Sequence, residues 1–217
     1  MPENLPAVLP SILMVMALGL LPLLIVMGTA FTKISIVLSL LRNALGLQQV
    51  PSALVVNSIA LTLTIFIMAP LGQEMAQQIA QANVTSYDWD SLSKILHIVN
   101  NVYTQYLTRY ASPRELAFFM DAARKLWPPS LQNQITSTNI LILLPAHVTS
   151  EITRAFEIAF LLFLPFLVID MVVSNILLAM GAMMVPPMLV SLPIKILLFV
   201  ASDGWARLIH NLVLSYV

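Results

Sequence analysis

The chain has no cysteine, which excludes disulfides, thiolate nucleophiles and cysteine-ligated metal sites together. Charge is scarce as well: Asp, Glu, Lys and Arg make up 9% of the 217 residues, and ten basic side chains cancel ten acidic ones. A net charge of zero gives no global field to gather nucleic acid, so partners are recognised by shape and local groups. No stretch alternates apolar and polar residues for long enough to read as a strand. There is no GxSxG elbow, no glycine-rich phosphate loop and no Walker sequence. His97, His147 and His210 are far apart, and none has the spacing of a zinc ligand pair. The expectation is a non-enzyme with no metal and no cofactor. The opening MPENLPAVLP carries Glu3 but neither Lys nor Arg, so it lacks the positive start of a secretory signal, and the first apolar segment is expected to stay in the mature protein.

What is abundant is hydrocarbon. Hydrophobic residues make up 59% of the chain and the mean hydropathy is +0.90, which points to a membrane-associated protein. Charge-free runs at Asn4–Thr32, Asn43–Gln73, Ile158–Ile169, Met171–Ile194 and Ile196–Ser202 together define four apolar segments in two pairs. Residues 74–154 hold twelve of the twenty charges and read as a water-facing helical insert. The expected fold class is therefore all-α: residues 1–73 as a first hairpin, 74–154 as a polar insert, and 155–217 as a second hairpin. Within the insert, Ser112-Pro113-Arg114-Glu115 predicts a helix that starts with Ser112 as N-cap and ends near Trp127, with Asp121 and Lys125 paired one turn apart. A second insert helix is expected after Asp88 or Asp90.

These segments are poor lipid spans. A single helix over residues 11–45 would be about 50 Å long against a hydrocarbon core of about 30 Å. It would carry Lys33, and the second pair carries Asp170 and Lys195, each costing about 2.5–3.5 kcal/mol at mid-bilayer unless faced by protein or water. Lys33, Asp170 and Asp203 are taken as buried polar groups. Lys195 has a blander reading as a snorkelling side chain, and Asp170 as a bundle hydrogen-bonder. A sharper reading pairs Glu151 with Lys195 across a subunit interface. Prolines at 22, 70, 165 and 193 add kinks whose freed carbonyls need neighbours, which again favours helices packed on protein.

An internal repeat links the two pairs. Residues 31–63 laid over 166–198, an offset of 135, match at twelve of 33 positions, and ALGLQQVPSALV aligns with AMGAMMVPPMLV without a gap. Each unit reads as a helix ended by glycine and a second helix opened by proline. Both tips are then expected on one side, and the positive-inside tendency of Lys33 and Arg42 puts them towards the cytoplasm. The first tip presents Gln48, Gln49 and Pro51; the second presents Met183 and Met184 beside Pro186 and Pro187. Five of the twelve methionines fall within 171–188, around a turn rather than along a helix face. Methionine commonly fills irregular packing gaps, but an unbranched, flexible apolar side chain also suits a yielding seal. A competing class is a small secondary transporter relaying protons through Asp170 and Lys195, which calls for an inverted repeat. The repeat here is parallel.

FTKISIVLSLLRNALGLQQVPSALVVNSIALTLTIFIMAP (31–70), together with LLPAHVTSEITRAFEIAF, FLPFLVIDMVV, MMVPP and DGW within 143–205, resembles the FliP/YscR/SctR family. These are core subunits of the export apparatus of bacterial type III secretion systems. The resemblance implies a homo-pentameric ring in the bacterial inner membrane, lying largely on its periplasmic side and joined to smaller helical export-apparatus subunits. It implies that exported polypeptides pass through this ring and that a methionine loop seals the channel. By position the seal falls on Met183 and Met184. Ala182 stands where the family commonly has a third consecutive methionine, so Met180 is the residue that could complete it. Ser52 replaces a second proline, and His147 replaces an aromatic residue in PAHVTSE. The lack of a signal-like start tilts the resemblance towards the virulence injectisome.

Overall fold

The computed structural model describes residues 19, 26–47, 51–82, 89–182 and 184–217, and among them every regular element is helical. The N-terminal part of the first apolar segment, Gln48, Gln49 and Met183 lie outside the described residues. In chain order the helices are α1 (Phe31–Ala44), α2 (Ala53–Gln81), α3 (Trp89–Tyr110), α4 (Pro113–Leu126), α5 (Ile140–Ala179), α6 (Pro187–Ala201) and α7 (Gly204–Leu214). A 3-10 turn over Pro129–Gln134 joins α4 to α5.

Helix α1 forms the centre. Its buried side chains, Ile34, Val37, Leu38, Leu41 and Ala44, recur at helical spacing and form one stripe. Ala155 and Phe166 of α5, Phe199 of α6, and Leu208, Leu212 and Tyr216 at the end of the chain close over that stripe. Burying such side chains contributes about 1.5–3 kcal/mol each, so the α1 stripe supplies a substantial share of the packing energy.

The local signals in the insert hold for position and fail for detail. Pro113 opens α4 and Ser112 is its N-cap, but the serine hydroxyl makes no capping bond; the Ser112 N–H instead donates to Ser150 Oγ of α5 at 2.8 Å. Asp121 pairs with Arg124 at 2.9 Å, not with Lys125, because the guanidinium fork reaches a carboxylate three residues back on the exposed face. The last part of the insert and the first arm of the second hairpin form one helix, since α5 runs unbroken through Pro145 and Pro165. Its 40 residues span about 60 Å, twice a hydrocarbon core.

Helices α2 and α5 are long and apolar enough to cross a membrane, and α6 with α7 would make a third such span were they one helix. They are bent by 61° at Ser202–Asp203. Asp203 takes φ +52°, a left-handed conformation that Asp tolerates better than most residues. Gly204 follows because nothing larger fits: a Cβ there would lie 2.3 Å from the Phe199 ring.

Only 17% of the most apolar window of α2, and the same share for α5, is buried within the chain. Leu54 and Phe66 of α2, Phe160 and Leu161 of α5, and Leu189 and Leu197 of α6 stand exposed. Apolar surface on this scale belongs against lipid or other protein.

Candidate functional site

The two hairpin tips are built the same way. At the first, Gly46 has φ +79°; its N–H donates to the Asn43 carbonyl at 3.0 Å and the Leu47 N–H to the Arg42 carbonyl at 3.1 Å. At the second, Gly181 has φ +71°; its N–H donates to the Leu178 carbonyl at 3.0 Å and the Ala182 N–H to the Leu177 carbonyl at 2.9 Å. Both are Schellman ends, and every partner is displaced by the same 135 residues. The repeat is thus a repeat of hydrogen bonds as well as of letters. The arms that follow open with Ser52 as the cap of α2, its Oγ accepting from the Val55 N–H, and with Pro187 as the first residue of α6.

The tips also lie together. A Cβ on Gly46 would meet Met188 Cε at 3.5 Å and Leu192 Cδ1 at 3.9 Å, so the first turn rests against the opening of α6. Pro51 is half-buried, its carbonyl accepting from Arg42 Nη1 at 3.4 Å, whereas Pro186 and Pro187 are exposed. Met180 is exposed and Met184 is 98% exposed, so the described methionines of the second tip point away from the chain's own core. That is not how gap-filling methionines sit.

Behind the tips, Lys195 of α6 is buried and reaches two partners. Its Nζ donates to Asp170 Oδ2 of α5 at 2.6 Å and to the Ala44 carbonyl, in the last turn of α1, at 3.1 Å. Asp170 is 47% exposed. The ammonium therefore neutralises a carboxylate on one side and satisfies an orphan helix-end carbonyl on the other.

A second cluster lies at the opposite end of α1. Lys33 and Glu151 are each 1% exposed, with Lys33 Nζ 3.4 Å from Glu151 Oε2. Arg154 Nη1 stands 3.4 Å from Glu151 Oε1, and the Tyr216 hydroxyl donates to Oε2. Lys33 Nζ also sits 3.5 Å from the centroid of the Tyr216 ring, a cation–π contact inside the core. Glu151 is thus a hub with three donors, as a buried carboxylate requires.

Aromatic side chains dock the insert onto this hub. The Tyr103 hydroxyl donates to the Gly28 carbonyl at 3.0 Å, and that of Tyr110 to the Tyr216 carbonyl at 2.6 Å. Tyr106 packs against Tyr110 and against His147, whose ring is fully buried 5.7 Å away. His147 thus takes up the packing role of an aromatic residue at its position. Burial pushes the Tyr103 hydroxyl up to about 12, and burial followed by the charge of Glu151 raises that of Tyr106 further still. Both phenols stay protonated; Tyr103 serves as a donor, whereas the buried Tyr106 hydroxyl has no partner among the described residues and its ring serves packing.

The sequence readings of charge fare unevenly. Lys33 is buried as expected, Asp170 is half-exposed, and Asp203 is exposed at the α6–α7 elbow rather than buried, because the bend turns it outward. Within one chain Glu151 and Lys195 are not partners: each is taken, by Lys33, Arg154 and Tyr216 in one case and by Asp170 and Ala44 in the other. Asp170 was recoverable from the sequence. It lies eleven residues before Gly181 and Lys195 fourteen after, so the two stand level on facing arms of the hairpin. Tyr216 and the row Tyr103, Tyr106 and Tyr110 were missed; only the i, i+3, i+7 spacing of that row signals a packed helix face.

The shared contacts fix direction. Lys33 meets residue 151 and Ala44 meets the lysine that pairs with residue 170, so α1 and α5 run in the same sense. The two hairpins are therefore parallel copies.

Parallel apolar hairpins, buried charges paired within the chain and wide uncovered helix faces define an all-α membrane-associated protein. The chain belongs to the FliP family, whose model matches residues 13–212. It is 46% identical over 213 residues to the Yop proteins translocation protein R of Yersinia pestis, covering 98% of each chain. It is 42% identical to the hypersensitivity response secretion protein HrcR of Ralstonia nicotianae over 208 residues, covering 94% of this chain and 95% of that one. The virulence protein YscR of Salmonella typhimurium is 42% identical over 204 residues, 92% of each chain.

Proposed function

We propose that this chain is a pore-forming structural subunit of the export gate of a virulence-associated type III secretion system, through which unfolded proteins cross the bacterial inner membrane. One observation carries the reading. The buried charges of the apolar helices, Lys33, Glu151 and Lys195, are satisfied within the chain, while the apolar faces of α2, α5 and α6 are left bare. A chain that solves its polar problem alone and leaves its apolar one open is built to be covered by like or similar helices.

In this reading copies of the chain form a ring, a pentamer, which smaller helical subunits of the same secretion system extend. The insert faces the periplasm and both hairpin tips face inward. Met180, Met183 and Met184 line the lumen as a seal that yields to a passing polypeptide, and the Gln48–Gln49–Pro51 tip lies behind it. Pro186 and Pro187 start α6 at the seal and stiffen its base. A pairing of Glu151 with Lys195 between subunits would require both to exchange their partners within the chain. The protein performs no chemistry; energy comes from other components.

Native mass spectrometry of the detergent-solubilised complex, co-expressed with the other export-apparatus proteins of its system, tests this. A mass corresponding to five copies with smaller helical subunits attached is expected. A lone monomer that captures none of them would refute it.

A further inference from the structure

We infer that Lys195 is a positioning residue for the methionine tip: it clamps the end of α1 to the second hairpin and so fixes one tip against the other. The inference rests on the reading of that tip as a seal. Its geometry stands independently.

Three helices meet at one nitrogen. Lys195 comes from α6, Asp170 from α5 and the Ala44 carbonyl from α1, at 2.6 and 3.1 Å. Ala44 is two residues before Gly46, so the bond holds the first tip at its root. Lys195 lies two turns into α6 beyond Met188, the residue against which Gly46 rests. The α6 helix therefore holds the first tip at two points, by van der Waals contact near its start and by a charged hydrogen bond further along. The first tip is the bracket and the second, with exposed Met180 and Met184, is the working edge.

The ion pair alone would not need this arrangement. A snorkelling lysine would face solvent, and a lysine serving only to neutralise Asp170 would follow that half-exposed carboxylate outward. Lys195 instead stays buried and donates a hydrogen bond to a backbone carbonyl of another helix. Asp170 offsets the charge, and the carbonyl sets the position. An acid at 195 paired with a base at 170 would keep the ion pair and lose the clamp.

The absence of native cysteine makes the test clean. Cysteines introduced at Leu47 and Met188 in the assembled complex are bridged by a short bismaleimide, and the intact mass of the dissociated subunit separates bridges within a chain from bridges between chains. Helicity and complex mass are checked for each variant. With Lys195 in place, bridging within the chain is expected to be fast. K195M should slow it about tenfold, the population shift that one charged hydrogen bond can support. The exchange D170K/K195D should slow it equally, while K195R, which keeps donors for both partners, should restore it. Parent-like bridging in either K195M or the exchange variant would overturn the clamp.

Bilayer current through the same variants, without the added cysteines, separates the two claims. Slower bridging with a raised current supports clamp and seal together. Slower bridging with unchanged current leaves the clamp standing and removes the seal. Unchanged bridging removes the clamp whatever the current does.

Discussion

Helix α1 is held at both ends by a buried lysine, and the two ends are made differently. At its start Lys33 faces Glu151 in full burial, with Arg154 and Tyr216 completing the shell of the carboxylate. At its end Lys195 faces Asp170, which remains half in the open, and turns its other hydrogen bond to a backbone carbonyl. The first end is closed and over-determined. The second is open on the side of the tips. Where a carboxylate has three donors and no solvent, the arrangement fixes a fold; where one partner is exposed and the other is a helix end, it sets the position of something outside the core.

Substitutions at these ends sharpen the contrast. The largest effect is expected for E151A, which strands Lys33 as an uncompensated charge in a sealed site and costs about 3–5 kcal/mol. Loss of the assembled complex on a sizing column, and its recovery in a K33M/E151M double variant, would bear this out; an E151A complex of normal thermal stability would contradict it. K195M should cost less, about 2–3 kcal/mol, because Asp170 can rehydrate once abandoned. Its signature is a complex that assembles with a modestly lowered melting temperature. Y216F removes one donor from Glu151 but leaves its ring over Lys33, so about 1.5 kcal/mol is expected from thermal denaturation. The smallest effect belongs to D121N. That carboxylate pairs with Arg124 on an exposed face of α4, and its loss should shift stability by no more than about 0.5 kcal/mol.

The contrast also shows where the sequence speaks and where it is silent. Helix α4 was legible because proline at its first position and glutamate in its first turn mark a helix start locally, although the Ser112 hydroxyl makes no capping bond. The hairpin turns were legible because glycine and proline constrain the backbone wherever they occur, and two copies at one offset reinforce each other. Contacts between distant residues left no such mark. Nothing in the letters ties Lys33 to Glu151, 118 residues on, rather than to any other acid, and the sign of charge alone led to pairing Glu151 with Lys195. The elbow at Ser202–Asp203 was invisible too. It depends on an aspartate in a left-handed conformation and on the Phe199 ring against Gly204, and both are tertiary facts. Hydropathy described the apolar segments well but could not divide them between core and cover. In α2 only Val56, Ala60 and Thr64 are buried, and their neighbours on the same helix are just as apolar.

If the second tip seals a channel, its loss must show in the current that the purified complex carries across a planar bilayer. The measurement compares the parent with a variant in which Met180, Met183 and Met184 are all alanine. A nearly silent parent and a clearly conducting variant of identical subunit composition are expected. Equal currents from two intact complexes would contradict the seal.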